Sequence, residues 1–163
     1  MGSRAGTLVM TMASGVALVL CAAIAALASG PALAQSNAGV SARLEALFGD
    51  HEPYQEFLLA LKAAVAADYR EAVAAMIAYP LTTTIAGERV TMTSKRDFLE
   101  RYGQLFTPAV AAAIVRQSYA SLFANWQGVM IGDGVVWFGG TCSDDACAET
   151  SVTVIAINAR DGG

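Results

Sequence analysis

The opening 34 residues constrain this chain more than any later stretch. Arg4 is the one charge in Met1–Met12, and the apolar run 13–28 has none. Ser29, Gly30 and Pro31 follow, then Ala32-Leu33-Ala34 before Gln35. A basic start, an apolar stretch, a helix-breaking Gly-Pro and small residues at −3 and −1 are what signal peptidase reads. The sequence therefore predicts a signal peptide over 1–34, cut between Ala34 and Gln35, and a periplasmic or secreted product. An uncleaved anchor is the rival, but a membrane span needs about 20 apolar residues, more than this run supplies. Cys21 lies mid-run behind Leu20, not behind the small residue of a lipoprotein site, so it leaves with the peptide.

Export decides how the remainder is read. The 163 residues suffice for one domain, expected over 51–160 behind a flexible leader at 35–50. Most of the excess behind the 55% apolar content sits at the front, in the leader peptide. Losing Arg4 and no acid leaves nine basic side chains against fourteen acidic ones, a net charge of −5. That balance excludes the basic footprint of a nucleic-acid binder. No later stretch reaches membrane-spanning length without charge, so no span is expected after cleavage. In an oxidising compartment the two remaining cysteines, Cys142 and Cys147, are expected to form a disulfide. Closing so short a loop contributes about 2 kcal/mol. The competing reading is a metal site built from both thiolates with Asp144 and Asp145. It mixes hard and soft ligands without a nearby histidine, and no metal or cofactor is expected. The spacing is also not the Cys-x-x-Cys of a redox pair.

Patterning predicts helices first and strands last. Gln35–Val40 is small and polar, and Ser41–Phe48 can form a helical turn ended by Gly49. Pro53, Phe57, Leu58, Leu61 and Val65 mark a helix to about Ala67, and Asp68 is placed to cap a second through Ile77. Tyr79-Pro80 ends it. Leu81–Ile85 and Val90–Thr93 flank Ala86-Gly87-Glu88-Arg89 as a hairpin. Ser94 and Asp97 resemble a capping box before an amphipathic helix bearing Phe98, Leu99, Tyr102, Leu105 and Phe106. Thr107-Pro108 starts another helix. Three antiparallel strands follow, at Val129–Ile131, Val135–Phe138 and Val152–Asn158, while Tyr119–Asn125 is ambiguous. The expected class is α+β, with N-terminal helices packed on one face of an antiparallel sheet.

This order resembles the nuclear transport factor 2-like superfamily. The local residues are similar to small exported bacterial proteins without a settled activity. The resemblance rests on Tyr79-Pro80-Leu81, Phe98-Leu99 with Tyr102, and Leu122–Asn125. It rests most on the glycine-rich stretch Gly128–Phe138, with Ile157-Asn158 after it. It implies a strongly curved, cone-like sheet wrapped on helices. It implies no single activity, because members include isomerases, epoxide hydrolases and binding modules. The enzymes place an acid or a Tyr–Asp pair inside the cone, and neither motif matches here residue by residue.

Several chemistries lack their residues. His51 is the only histidine and sits beside Asp50 and Glu52 at a helix start, which fits a solvated cap neighbour better than a base. No Gly-x-Ser-x-Gly elbow exists to present a serine nucleophile. Glu52, Glu56, Asp68, Glu71, Asp97 and Glu100 sit at helix starts or on polar faces, where capping and solvation explain them. Gly128, Gly132 and Gly134 lack the lysine and following helix of a phosphate loop, so they are read as turn and curvature glycines.

Two readings of function follow. The first is a non-enzymatic binding or interaction module of the bacterial envelope, contacting a protein, a peptide or a small apolar ligand. Trp126, in the polar turn Asn125-Trp126-Gln127-Gly128, is its candidate contact residue. The alternative is an isomerase- or hydrolase-type enzyme using a buried acid and a tyrosine. It predicts a cone pocket lined by Tyr102, Phe106 and Trp137 with one inward carboxylate.

Overall fold

A computed structural model describes residues 36–142 and 150–158. The chain divides into two units, Met1–Ala34 and Gln35–Gly163. The expected signal peptide, its Ala34/Gln35 cleavage site and Cys147 all lie outside the described residues.

Ser36 opens α1 (Asn37–Phe48), its hydroxyl accepting the Gly39 amide at 3.1 Å, and Gly49 ends it at φ 87°. The leader expected over 35–50 is thus corrected: the chain is helical from Asn37. Val40 and Leu44, one turn apart, are buried and hold it down. Val40, Leu44, Leu47 and Phe48 fall at i, i+4, i+7 and i+8, a helical period that starts inside the stretch read as a leader. The next helix, α2 (Glu52–Ala66), has Pro53 in its first turn and buries Tyr54, Phe57, Leu58, Leu61, Ala64 and Val65 along one face.

Asp68 does not cap α3 (Arg70–Ala75). It takes a left-handed backbone at φ 49° and grips Arg70 at 3.0 Å, leaving Tyr69 at the N-cap. The helix also stops short of Ile77. That residue instead makes a parallel bridge to Val154 in the last strand. The Ala78 amide donates to the Val154 carbonyl (2.9 Å), and the Val154 amide to the Met76 carbonyl (2.8 Å).

After a cis Tyr79–Pro80 bond, β1 (Leu81–Ile85) pairs with β2 (Glu88–Met92), Ile85 opposite Glu88. The turn is therefore two residues, Ala86 and Gly87, at φ 50° and 83°. Left-handed pairs of this kind match the twist of the strands they join. Thr83 is the one buried polar side chain among the described residues. Its hydroxyl donates to the Ile157 carbonyl and fastens this hairpin to the main sheet.

Ser94 caps α4 (Lys95–Glu100) by accepting the Asp97 amide at 3.2 Å. The Asp97 carboxylate accepts from the hydroxyl (2.8 Å) and amide (3.1 Å) of Thr93, one residue before the cap. Those bonds hold its carboxyl below the ordinary range, with the Thr93 hydroxyl acting most strongly. The helix expected from Phe98 to Phe106 breaks at Arg101, separating α4 from α5 (Tyr102–Leu105). Thr107 and Pro108 then start α6 (Pro108–Arg116) as N-cap and first helical residue.

A 3₁₀ turn at Tyr119–Ser121 leads into four antiparallel strands: β3 (Phe123–Asn125), β4 (Gly128–Ile131), β5 (Val136–Cys142) and β6 (Thr150–Ile157). They lie in the order β3-β4-β5-β6, one strand more than the three expected, because the ambiguous 119–125 supplies β3. The fold is α+β, with helices N-terminal to antiparallel sheets. Val129, Ile131, Val136, Phe138, Val154 and Ile157 face the helices and share one core with Leu58, Leu61, Phe98, Leu105, Val110 and Ile114. Phe138 anchors that contact, stacking on Phe57 at 5.1 Å.

Gln117 ties three parts of this arrangement together. Its carbonyl accepts from Lys62 of α2, its Oε1 accepts the Gly132 amide (3.0 Å), and its Nε2 donates to Ser121 (2.9 Å). Gln117→Leu keeps the carbonyl but leaves the Gly132 amide without this acceptor. Thermal unfolding should show a loss of about 1–3 kcal/mol. A change within a few tenths would mean the side chain ties nothing.

Candidate functional site

The sheet face turned away from the helices is assembled from small features of β3–β6. Alternation along β5 buries Val136 and Phe138 and leaves Trp137 half-buried on the opposite side. A bulge then interrupts the β5–β6 register: Trp137 pairs with Ala156 and Phe138 with Val154, leaving Ile155 unpaired. Bulges re-aim side chains. Here Ile155 turns outward over two glycines.

Gly128 is required by that placement, while Gly139 lies in ordinary contact with it. A Cβ on Gly128 would lie 2.8 Å from the Phe138 carbonyl oxygen and 3.2 Å from Ile155 Cδ1, at a backbone φ of 140°. A Cβ on Gly139 would lie 3.4 Å from the same methyl. Gly128→Ala should therefore cost about 1–3 kcal/mol through strain at a conformation L-residues avoid. Denaturant unfolding would measure it, and a neutral result would remove the glycine from the design of this face.

Trp126 stands at the β3–β4 turn with 81% of its surface exposed, and Phe123 on β3 is 41% exposed. Phe123 meets Trp137 edge-on, centroids 6.5 Å apart at 85°. Two depressions flank the Gln127–Ile155 ridge. One, about 430 Å³, is lined by Trp137, Ala156 and Asn158; the other, about 330 Å³, is lined by Trp126 and the glycines and reaches past the sheet to Phe48 of α1 and Tyr54 of α2. Both share Gln127 and Ile155. Across β3–β6 and their described turns the only charged residue is Asp133. The charges of the other described residues lie on the helices, the β1–β2 hairpin and their connections.

The expected cone-pocket residues do not come together. Tyr102 and Phe106 are buried and stacked at 4.9 Å, each edge-on to Phe98. The Arg70 guanidinium lies 5.1 Å above the Tyr102 ring. Trp137 points to the other side of the sheet, with Phe123, Gln127 and Ile155. Burial, with a smaller push from Asp68, raises the Tyr102 hydroxyl above its ordinary value, and Arg70 partly opposes it. No carboxylate is buried among the described residues, and Asp97 is engaged in capping. His51 pairs with Glu45 through Nδ1 at 2.8 Å. No three His, Cys, Asp or Glu side chains group as metal ligands among the described residues. Nor is any helix there long and apolar enough to cross a membrane.

Sequence reasoning singled out Trp126 because a polar turn cannot bury an indole. It missed Phe123, Gln127, Ile155 and Asn158. The outward turn of Ile155 depends on a bulge, and in Val135-Val136-Trp137-Phe138 every residue is apolar, so alternation carries no signal. No protein-family model, curated protein or solved structure matches the chain.

Proposed function

We propose that this chain is an exported protein of the bacterial cell envelope whose mature domain is a binding module. It acts through the outer face of β3–β6. One observation carries the reading: a tryptophan 81% exposed at the β3–β4 turn of a sheet that also carries Phe123 and Trp137 and whose described strands hold no charged residue. Exposed aromatic surface combined with charge depletion is the composition of contact patches. Tryptophan is also the residue most often found to dominate them. The enzymatic alternative is disfavoured because no described carboxylate is buried with Tyr102 and Phe106.

A nuclear transport factor 2-like scaffold is part of the proposal, supported by the order of helices, hairpin, helices and late antiparallel meander. So are export and the Cys142–Cys147 disulfide. Cys142 pairs in register with Thr150, and Cys147 precedes Thr150 by three residues in the sequence. The chain therefore returns to the end of β5 within a few residues of Cys147. N-terminal sequencing of the natural product should begin at Gln35, and thiol titration of the unfolded, unreduced protein should find no free cysteine. An intact Met1, or two titrating thiols, defeats this part.

The binding role is tested on the immobilised mature domain. Trp126→Ala removes an exposed side chain, so melting temperature should stay within a few degrees. Retention of envelope material should fall severalfold. Equal retention by both proteins would displace the contact from this face.

A further inference from the structure

We infer that the ligand of this outer face is a neutral saccharide of at least two rings. The inference rests on the binding-module reading above and adds the chemistry of what is bound.

The face is too small for a stable protein partner. Strands lie about 4.8 Å apart and rise about 3.3 Å per residue. Four strands, the shortest being three and four residues long, therefore present only a few hundred Å². A standard protein interface takes roughly 800 Å² from each partner. The lack of charge selects further. Among the described residues, an anion would find no Lys or Arg on these strands or their turns, and a cation only Asp133 in the far turn. A neutral ligand meets no charged side chain on the described strands themselves.

What the face does offer is flat aromatic surface next to amides. Indole faces carry negative potential, and the axial C–H groups of a pyranose are weakly positive and apolar, so the two stack. Ring hydroxyls then need donors and acceptors at the edge. Gln127 lies between the two depressions and Asn158 borders one of them. Their surroundings are held: the Gln127 backbone amide donates to Asn125 Oδ1 (2.8 Å), and Asn158 Nδ2 donates to the Gly134 carbonyl (2.8 Å). Ile155, seated on Gly128 and Gly139, sets the ridge between them. A preformed surface loses little entropy on binding. Each depression has one tryptophan, Trp126 in one and Trp137 in the other. Two adjacent depressions, each with an indole, suit a ligand of more than one ring.

The chain has only these two tryptophans, so intrinsic fluorescence of the mature protein reads this face alone. The probes are tetrasaccharides of N-acetylglucosamine, of β-1,4-glucose and of α-1,4-glucose, with the matching monosaccharides. At least one tetrasaccharide should give a saturable emission change with Kd between about 1 μM and 1 mM. It should bind about tenfold or more tighter than its monosaccharide. Trp126→Ala should weaken binding about tenfold or more. Raising salt from about 0.05 to 0.5 M should leave Kd unchanged, because no charge is involved. No response to any tetrasaccharide at ~10 mM, or binding equally tight in Trp126→Ala, overturns the inference. If saccharides fail while Trp126→Ala still abolishes retention of envelope material, the saccharide falls and the binding module stands. Sedimentation giving a dimer for the native protein and a monomer for Trp126→Ala overturns it in favour of a second copy of the chain.

Discussion

Phe98→Ala should lower the free energy of unfolding by about 3–5 kcal/mol, the range for emptying a buried phenylalanine site. Phe98 has no exposed surface. Its ring is met edge-on by Tyr79 at 6.4 Å, Tyr102 at 5.9 Å and Phe106 at 5.9 Å. It thus joins α4 to the segment entering β1 and to both ends of α5. Removing it leaves a void whose walls come from separate segments, so no single shift can close it. Urea unfolding followed by circular dichroism should show the midpoint falling with little change in slope. Leu59→Ala is the control, since Leu59 is 59% exposed and should change stability by less than about 0.5 kcal/mol. A loss under about 1.5 kcal/mol at Phe98 would mean the aromatic cluster collapses freely and does not hold these elements together.

Local chemistry made much of this fold legible. Pro53, Ser94 and Thr107-Pro108 announce helix starts because caps and first-turn prolines act within one turn of the chain. Gly132-Asp133-Gly134 announces a turn, and all three residues adopt left-handed backbones. What escaped depends on distant partners. Near Arg101 only Gly103 weakens the helical pattern, and it does not place the break between α4 and α5. Gln117 reads as a helix-end residue, yet it bonds Lys62, 55 residues before it, and Gly132, 15 residues after it. The same division holds at the site. Trp126 could be placed in solvent from its polar neighbours. The outward face of Trp137 could not be read from a continuous apolar run, nor could its separation from Tyr102 and Phe106. Spacing showed those two rings to be inward-facing but not what they would face.

Stability should hold below about pH 10 and fall as pH rises towards 12. Burial is the largest cause raising the hydroxyls of Tyr54, Tyr79 and Tyr102 above their ordinary value, and it pushes Tyr79 up to about 12. Asp97 adds to the shift at Tyr79, whose hydroxyl also donates to the Ala74 carbonyl at 2.9 Å. The sign follows from proton counting. Between pH 10 and 12 the unfolded chain gives up a proton that folded Tyr79 keeps, so alkali favours unfolding. Below pH 10 both states are protonated and the contribution is complete. Two pH units of difference correspond to about 2–3 kcal/mol lost by pH 12 from this residue alone, and Tyr54 and Tyr102 act in the same direction. Urea midpoints across this range, with ultraviolet absorbance tracking tyrosinate, would measure it. Tyrosinate from the buried rings should appear together with unfolding rather than before it. Tyr79→Phe should be about 1 kcal/mol less stable at neutral pH through loss of its bond to Ala74, yet decline less steeply above pH 10. Parallel decline of the two proteins would show that Tyr79 keeps no proton that the unfolded chain loses.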